Sequence, residues 1–345
     1  MRTPFPTQPS VVEKGGAGFE GITMLLCENP LSPLPEAVEA AAAVLPRSNH
    51  YTEPHSAPLR SALSEHLAVA ETMIHINSGS ELILRQLFTR LGERVHLVTP
   101  TYALFPEIAR NVTETRLSPD NGFRLDLNDL DIPAGTTLVV LVNPNNPNGA
   151  TFDVEPLAGL LKRRPDTFFL VDEAFIGLAG HTVVPWVSRF PNLIVTRTFS
   201  KAESLAGFRV GYAILPEALA EDLNRDNDAY PLARPSQAAS LATLTHYEEI
   251  RDRAVLLRTW TENLAAGLRD LGVRTFPTET YFFLTDVSPL TAEHLAAYVH
   301  DRGILVRPLG DPQMGPGYLR VTTGRPEENQ QFLAAVRDCL KEHGA

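Results

Sequence analysis

The stretch TFFLVDEAF, residues 167–175, drives an apolar run of strand length directly into two acids, Asp172 and Glu173. A short run without polar alternation suits a strand covered on both faces, as in a parallel sheet packed between helices. Two neighbouring stretches repeat the plan. TLVVLVNPNNPNG (137–149) ends in a turn rich in Asn, Pro and Gly, and NLIVTRTFSK (192–201) ends in Ser200 and Lys201. Amphipathic stretches such as SGSELILRQLFTRL (78–91) and VEPLAGLLKRR (154–164) alternate with such runs. This alternation predicts an α/β fold, a mostly parallel, helix-covered sheet within a large domain over residues 45–245.

Outward from that core the chain changes character. SPLPEAVEAAAAVL (32–45) predicts a helix opened by Ser32 with proline in its first turn, and Ser56 opens a second. From Pro235 one long helical pattern runs to Gly272, a residue suited to a left-handed helix stop. RTF, YFFLT, ILV and YLRVT then read as strands and two further stretches as helices, a smaller α+β domain over 246–345. Residues 1–44 are expected to contribute to that smaller domain. A cleft between the two units is the natural ligand site.

Composition narrows the function. The 345 residues are 43% hydrophobic and 21% charged, as in a globular protein, and no apolar run reaches membrane-spanning length. The first residues, MRTPFPTQPSVVEKGG, lack the continuous apolar region of a secretory signal, so a cytoplasmic location is expected. A net charge of −11 speaks against nucleic-acid partners. Cys27 and Cys339 lie near opposite ends of the chain and read as ordinary thiols. His50 and His55, interrupted by Pro54, share no helical face, and no metal is assigned.

The strand ends carry the chemistry, because ligands of open parallel sheets bind beyond the carboxyl ends of the strands. Asp172 follows an apolar strand, where a carboxylate needs a cation or donors; a loop or capping aspartate is the plainer reading. Lys201 precedes LAGFRVGYAIL, too apolar for a solvated loop. A lysine there gives up its charge readily, as a Schiff-base lysine must. Arg209, eight residues on, calls for an anionic partner such as phosphate. Ser78, Gly79 and Ser80 stand where a loop becomes a helix, an anion site or a plain N-cap. Tyr102 is either a core aromatic or a ring to stack on a planar ligand. Arg307 and Arg320, in ILVRP and YLRVT, suit capture of a carboxylate or phosphate, or pairing with local acids such as Asp311 or Glu327.

Taken in order, SGSEL, NPNG, DEA, SK and the arginine eight residues later resemble the fold type I pyridoxal-phosphate enzymes of the class I/II aminotransferase group. The chain is most similar to its histidinol-phosphate aminotransferase branch, from CENPLSPLPEA at 27 to LRVTTGRPEEN at 319. The resemblance implies that Lys201 holds pyridoxal 5'-phosphate as a Schiff base and that Asp172 pairs with the pyridine nitrogen. It implies that Asn146 bonds the 3-oxygen and that Tyr102 stacks on the ring. Gly79, Ser80 and Glu81 would offer backbone donors to the phosphate, joined by Thr198, Ser200 and Arg209. Tyr51 would reach the neighbouring subunit's cofactor, making the enzyme a homodimer with shared sites. Arg320 would take the substrate carboxylate or its equivalent, and Arg307 a substrate phosphate. Amino donor and 2-oxo acid acceptor would be small molecules, with histidinol phosphate as the default donor and an aromatic or other amino acid as another.

Three features depart from that pattern. Phe175 stands where many relatives carry tyrosine, which predicts a raised pKa for the Schiff base; phenylalanine there also occurs in similar threonine-phosphate decarboxylases. Glu203 replaces a common aromatic residue. The segment VVEKGGAGFEGITMLL (11–26) lacks a tyrosine that some relatives aim at the substrate phosphate. A decarboxylase of a phosphorylated amino acid and a non-catalytic ligand-sensing module are the alternative readings.

Overall fold

A computed structural model of the chain describes residues 19–311 and 314–343. The leader reading of residues 1–16 and the first part of the segment 11–26 lie outside the described residues. The strands are β1 (Ile22–Thr23), β2 (Ile74–Ser78), β3 (Val95–Thr99), β4 (Thr113–Arg116), β5 (Leu138–Val142), β6 (Phe168–Asp172), β7 (Leu193–Thr198), β8 (Val210–Ile214), β9 (Arg274–Thr275), β10 (Phe282–Asp286), β11 (Ile304–Leu305), β12 (Arg307–Pro308) and β13 (Tyr318–Thr322).

Seven of them form the main sheet in the order β2-β8-β7-β6-β5-β3-β4. The run from β7 to β4 is parallel, and β8 lies antiparallel between β7 and β2. The fold is α/β, as the alternation predicts. β5 is buried along its whole length, so its LVVLV run has no polar face to present. One edge of the sheet therefore collects the ends of β2, β3, β5, β6 and β7 and the start of β8. Asp172, Lys201, Asn146, Tyr102, Arg209 and the Ser78–Ser80 turn, singled out above, belong to that edge.

A four-stranded sheet, β12-β13-β10-β9, builds the smaller unit, and β1 pairs in parallel with β11 beside it. The N-terminal segment bridges the two cores: Met24 packs in the small-unit cluster, while Cys27 and Leu34 pack in the large one. The helix Tyr247–Asp270 does the same, with Ile250, Ala254 and Leu257 in the large core and Leu264, Ala265 and Leu268 in the small one. Shared hydrophobic burial along one rigid helix fixes the units against each other. Among the described residues no helix is long and apolar enough to cross a membrane.

Local details differ from expectation where side chains compete with the periodic pattern. The predicted single helix after Pro235 is two, Arg234–Thr245 and Tyr247–Asp270. His246 leaves the helical region at φ −111°, and its Nδ1 donates to the Ala242 carbonyl at 2.9 Å, satisfying one helix-end acceptor. The first helix begins at Pro35 after Leu34, not at Ser32, and carries no side-chain cap. Ser56 precedes the helix Ala57–Leu67 in a left-handed conformation, φ 52°, and also makes no capping bond. Gly272, at φ 83°, takes the left-handed stop foreseen for it.

Candidate active site

The collecting edge opens into a cavity of about 590 Å³ between the two units, lined among others by Tyr102, Asn146, Asp172, Lys201, Arg307 and Arg320. The floor comes from the large sheet. Asp172, the last residue of β6, is 4% exposed. Its Oδ1 accepts from Thr196 Oγ1 at 3.0 Å. Burial pushes its carboxyl up to about 6, and the bonds from Thr196 and the Ala174 backbone N–H oppose that shift. The carboxylate is thus fixed, desolvated and in need of a cation.

Lys201 follows β7 by two residues beyond Phe199. Its Nζ donates to the carbonyls of Leu26 (3.1 Å) and Cys27 (3.0 Å) and stands 5.4 Å from the centre of the Phe175 ring. Desolvation, with Arg320 and Arg209 adding like charge, lowers its pKa, although the Cys27 thiol and Glu28 pull the other way. A neutral amine, the reactive form, is correspondingly easier to reach.

At one end of the floor lies an anion cradle. Arg209 immediately precedes β8, and Gly79 immediately follows β2; the pairing of Ser78 with Val210 brings the two together. Gly79 has φ 81°, and a Cβ there would stand 2.6 Å from Arg209 Nη2. A Cβ on Gly211 would stand 2.0 Å from the Ser80 backbone nitrogen, so β8 packs tightly under the first turn of helix Ser80–Leu91. Both positions require glycine. The first-turn N–H groups of Ser80 and Glu81 have no partner within their own helix. Thr198 and Ser200, whose hydroxyls lie 2.9 Å apart, complete the same end of the cavity. The Glu81 carboxylate turns away to Arg85, at 2.8 Å, so this residue brings the cradle its backbone alone.

The opposite wall belongs to the small unit. In the β12–β13 pairing Arg307 is directly opposite Arg320. Two guanidinium groups at that register repel, and burial, with Arg320 adding like charge, lowers the pKa of Arg307. Arg320 Nη1 donates to Asn146 Oδ1 at 2.8 Å and Nη2 to the Leu25 carbonyl at 2.5 Å. Arg307 Nη1 and Arg320 Nε are buried and make no hydrogen bond. Unmet charged donors in a cavity wall favour an anionic guest strongly.

Most residues singled out in the sequence converge here, with one exception. Tyr51 is 79% exposed, stacks on Tyr230 at 4.5 Å between ring centres, and does not line its own chain's cavity. Tyr102 lines the cavity with its ring edge-on to Phe105. Sequence reasoning missed the backbone of Leu25, Leu26 and Cys27, whose carbonyls take bonds from Arg320 and Lys201, and Asn29, whose Nδ2 bonds the carbonyls of Lys201 and Ala202. CENP contains that asparagine, but only the fold brings it 172 residues along the chain. Sequence reasoning also gave Glu203 no role. It is 7% exposed, accepts from the Tyr247 hydroxyl at 3.3 Å, and burial pushes its carboxyl up to about 7. Beside it Arg197 and Glu173 form a buried ion pair at 2.7 Å.

Residues 22–336 match the family of class I and II aminotransferases. The chain belongs to that family. A histidinol-phosphate aminotransferase of Gluconacetobacter diazotrophicus is 34% identical over 323 residues, 91% of this chain and 90% of the relative. Among solved structures, the histidinol-phosphate aminotransferase of Sinorhizobium meliloti in complex with pyridoxal-5'-phosphate superposes with a TM-score of 0.83 at 24% identity, covering 94% of this chain and 91% of that one. The L-threonine-O-3-phosphate decarboxylase of Porphyromonas gingivalis superposes at 0.84 with 22% identity, covering 93% and 99%, a likeness of fold alone. As a class I/II aminotransferase the chain is a pyridoxal-phosphate enzyme. Its cavity fits that cofactor: a cradle that two glycines keep open, an amine that desolvation makes reactive, and a buried carboxylate requiring a cation.

Proposed function

We propose that this aminotransferase moves an amino group from histidinol phosphate to a 2-oxo acid. The observation that carries the choice is the facing pair Arg307 and Arg320, with buried N–H groups unmet at the cavity wall. A phosphate monoester supplies the charge and the several acceptor oxygens that this wall lacks. Identities of 31% and 34% to histidinol-phosphate aminotransferases, over about nine-tenths of each chain, support the same substrate.

The residues divide the work. Lys201 would hold the cofactor, Asp172 would face its ring nitrogen and Tyr102 its ring. Asn146 would serve the 3-oxygen, and Gly79, Ser80, Glu81, Thr198, Ser200 and Arg209 would serve its phosphate. Once bound, the cofactor supplies an electron sink for a bond broken at the substrate Cα. Asp172 would favour a proton on the ring nitrogen by offering a buried counter-charge. Once the substrate amine has displaced it, the Lys201 amine, kept neutral by desolvation, would take up the Cα proton and hand it on. Arg320, held by Asn146 and Leu25, orients the substrate, and Arg307 binds its phosphate.

The exposed Tyr51–Tyr230 stack suits a second copy of the chain, so that a homodimer would share its sites, and the large domain would span 45–245, with 246–345 forming the small one and 1–44 contributing to it. A cytoplasmic enzyme is consistent with these substrates.

Mixing the yellow holoprotein with histidinol phosphate should bleach its visible absorption in a single turnover, and a 2-oxo acid should restore it. Carbon dioxide release without need of an oxo acid, or inertness to histidinol phosphate while another amine reacts, contradicts the proposal.

A further inference from the structure

The small unit carries a second constellation, remote from the cavity. Helix Ala292–His300 presents His294, and helix Pro326–His343 presents Cys339 and His343 one turn apart. One ligand atom from each of the three lies within 4.8 Å of the other two. Cys339 Sγ stands 4.0 Å from His343 Nδ1, and the two imidazole rings meet edge to face at 4.4 Å between centres. None of the three lines the catalytic cavity.

The protonation pattern of His343 matters most. Its Nδ1 lies 2.8 Å from the Cys339 carbonyl, which can only accept, so Nδ1 carries the hydrogen and Nε2 keeps the lone pair. Nδ1 is also the nitrogen 4.0 Å from Cys339 Sγ, so the exposed His343 ring must turn to bring its lone pair toward the thiol. The thiol is buried at its base, Cys339 being 0% exposed, whereas both histidines are exposed and can turn. Donors bound tetrahedrally at zinc distances stand about 3.3–3.6 Å apart, so the widest pair would close by up to about 1.5 Å. Rotation of the two exposed imidazoles, His294 and His343, supplies a movement of that size.

We infer that His294, Cys339 and His343 form a zinc site, with water as fourth ligand, that staples helix Ala292–His300 to helix Pro326–His343. One thiolate and two imidazoles form the borderline-soft set that zinc takes. The site bridges two helices that cover the small-unit core, and it lies away from the reacting groups. Linear spacing hides it, because the cysteine and one histidine are four residues apart while the other histidine comes from a different helix.

Chelator-treated holoenzyme is titrated with zinc against a chromophoric competitor and, separately, with cobalt. The expected result is one zinc per chain, a raised melting temperature, and cobalt spectra with a sulfur-to-metal charge-transfer band and tetrahedral visible bands. His294→Ala, an exposed substitution that keeps the fold, should weaken zinc binding by about tenfold or more and leave kcat unchanged. Cys339→Ser should remove the charge-transfer band. Absence of stoichiometric zinc, cobalt spectra without sulfur ligation, or equal zinc affinity in His294→Ala each overturns the site. Because no readout involves the amino substrate, failure here is separate from failure of the proposed transamination.

Discussion

The two walls of the cavity are built on opposite principles. On the large-unit side the side chains are held in place within the chain: Asp172 by Thr196, Ser200 by Thr198, and Arg209 by the Ala206 carbonyl at 3.3 Å. On the small-unit side two arginines face each other and leave buried N–H groups without acceptors. A satisfied wall is preorganised for a partner that stays, and a wall with unmet donors awaits one that comes and goes. Under the proposed function, the resident cofactor would meet the first wall and the transient substrate the second.

The largest effect should come from the resident side. Lys201→Ala should lower kcat by about 10,000-fold and abolish the yellow absorption of the holoprotein. An unchanged spectrum would remove Lys201 from its role. On the transient side, Arg320→Ala should lower kcat/KM by about 100-fold or more without loss of the yellow colour, and Arg320→Lys should recover only part, since a point charge cannot reproduce the planar fork. Equal recovery by lysine would show that charge alone is read.

Glu203 tests whether the resident side is as well satisfied as it looks. Its folded carboxyl lies at about 7 against an ordinary 4.5, so the folded chain holds the extra proton between those values, and stability falls as pH rises through that window. Glu203→Gln should therefore raise the melting temperature at about pH 8, by up to roughly 3 kcal/mol in stability, and match wild type below the window. A stability difference independent of pH would contradict this. The smallest effect concerns Phe175, whose ring packs on Phe282 at 4.8 Å between centres. Phe175→Tyr should lower the pH at which the holoprotein's colour titrates by up to about one unit, and an unmoved titration would mean that the missing hydroxyl has no influence.

Much of the resident wall was legible in the sequence because it is local. Apolar runs ending in Asp172, Lys201 and Asn146 define strands, and parallel strands bring their ends to one edge regardless of loop detail. What the sequence hid is non-local. The carbonyls of Leu25 to Cys27 carry no side-chain signal, yet they meet Lys201 and Arg320 across 174 and 295 residues of chain. Asn29, the Glu203–Tyr247 contact and the His294–Cys339–His343 cluster share that character. The helix start at Ser32 was missed by two residues, and Ser56 holds the N-cap position foreseen for it but makes no capping bond, because tertiary packing chose other φ/ψ values there.

The contrast between the walls rests most directly on Arg307. The decisive measurement compares kcat/KM for histidinol phosphate with that for unphosphorylated histidinol, in wild type and in Arg307→Ala. Wild type should prefer the phosphate ester by about 100-fold or more, and the variant should lose most of that preference while still turning over histidinol. A preference of equal size in both proteins would contradict the account.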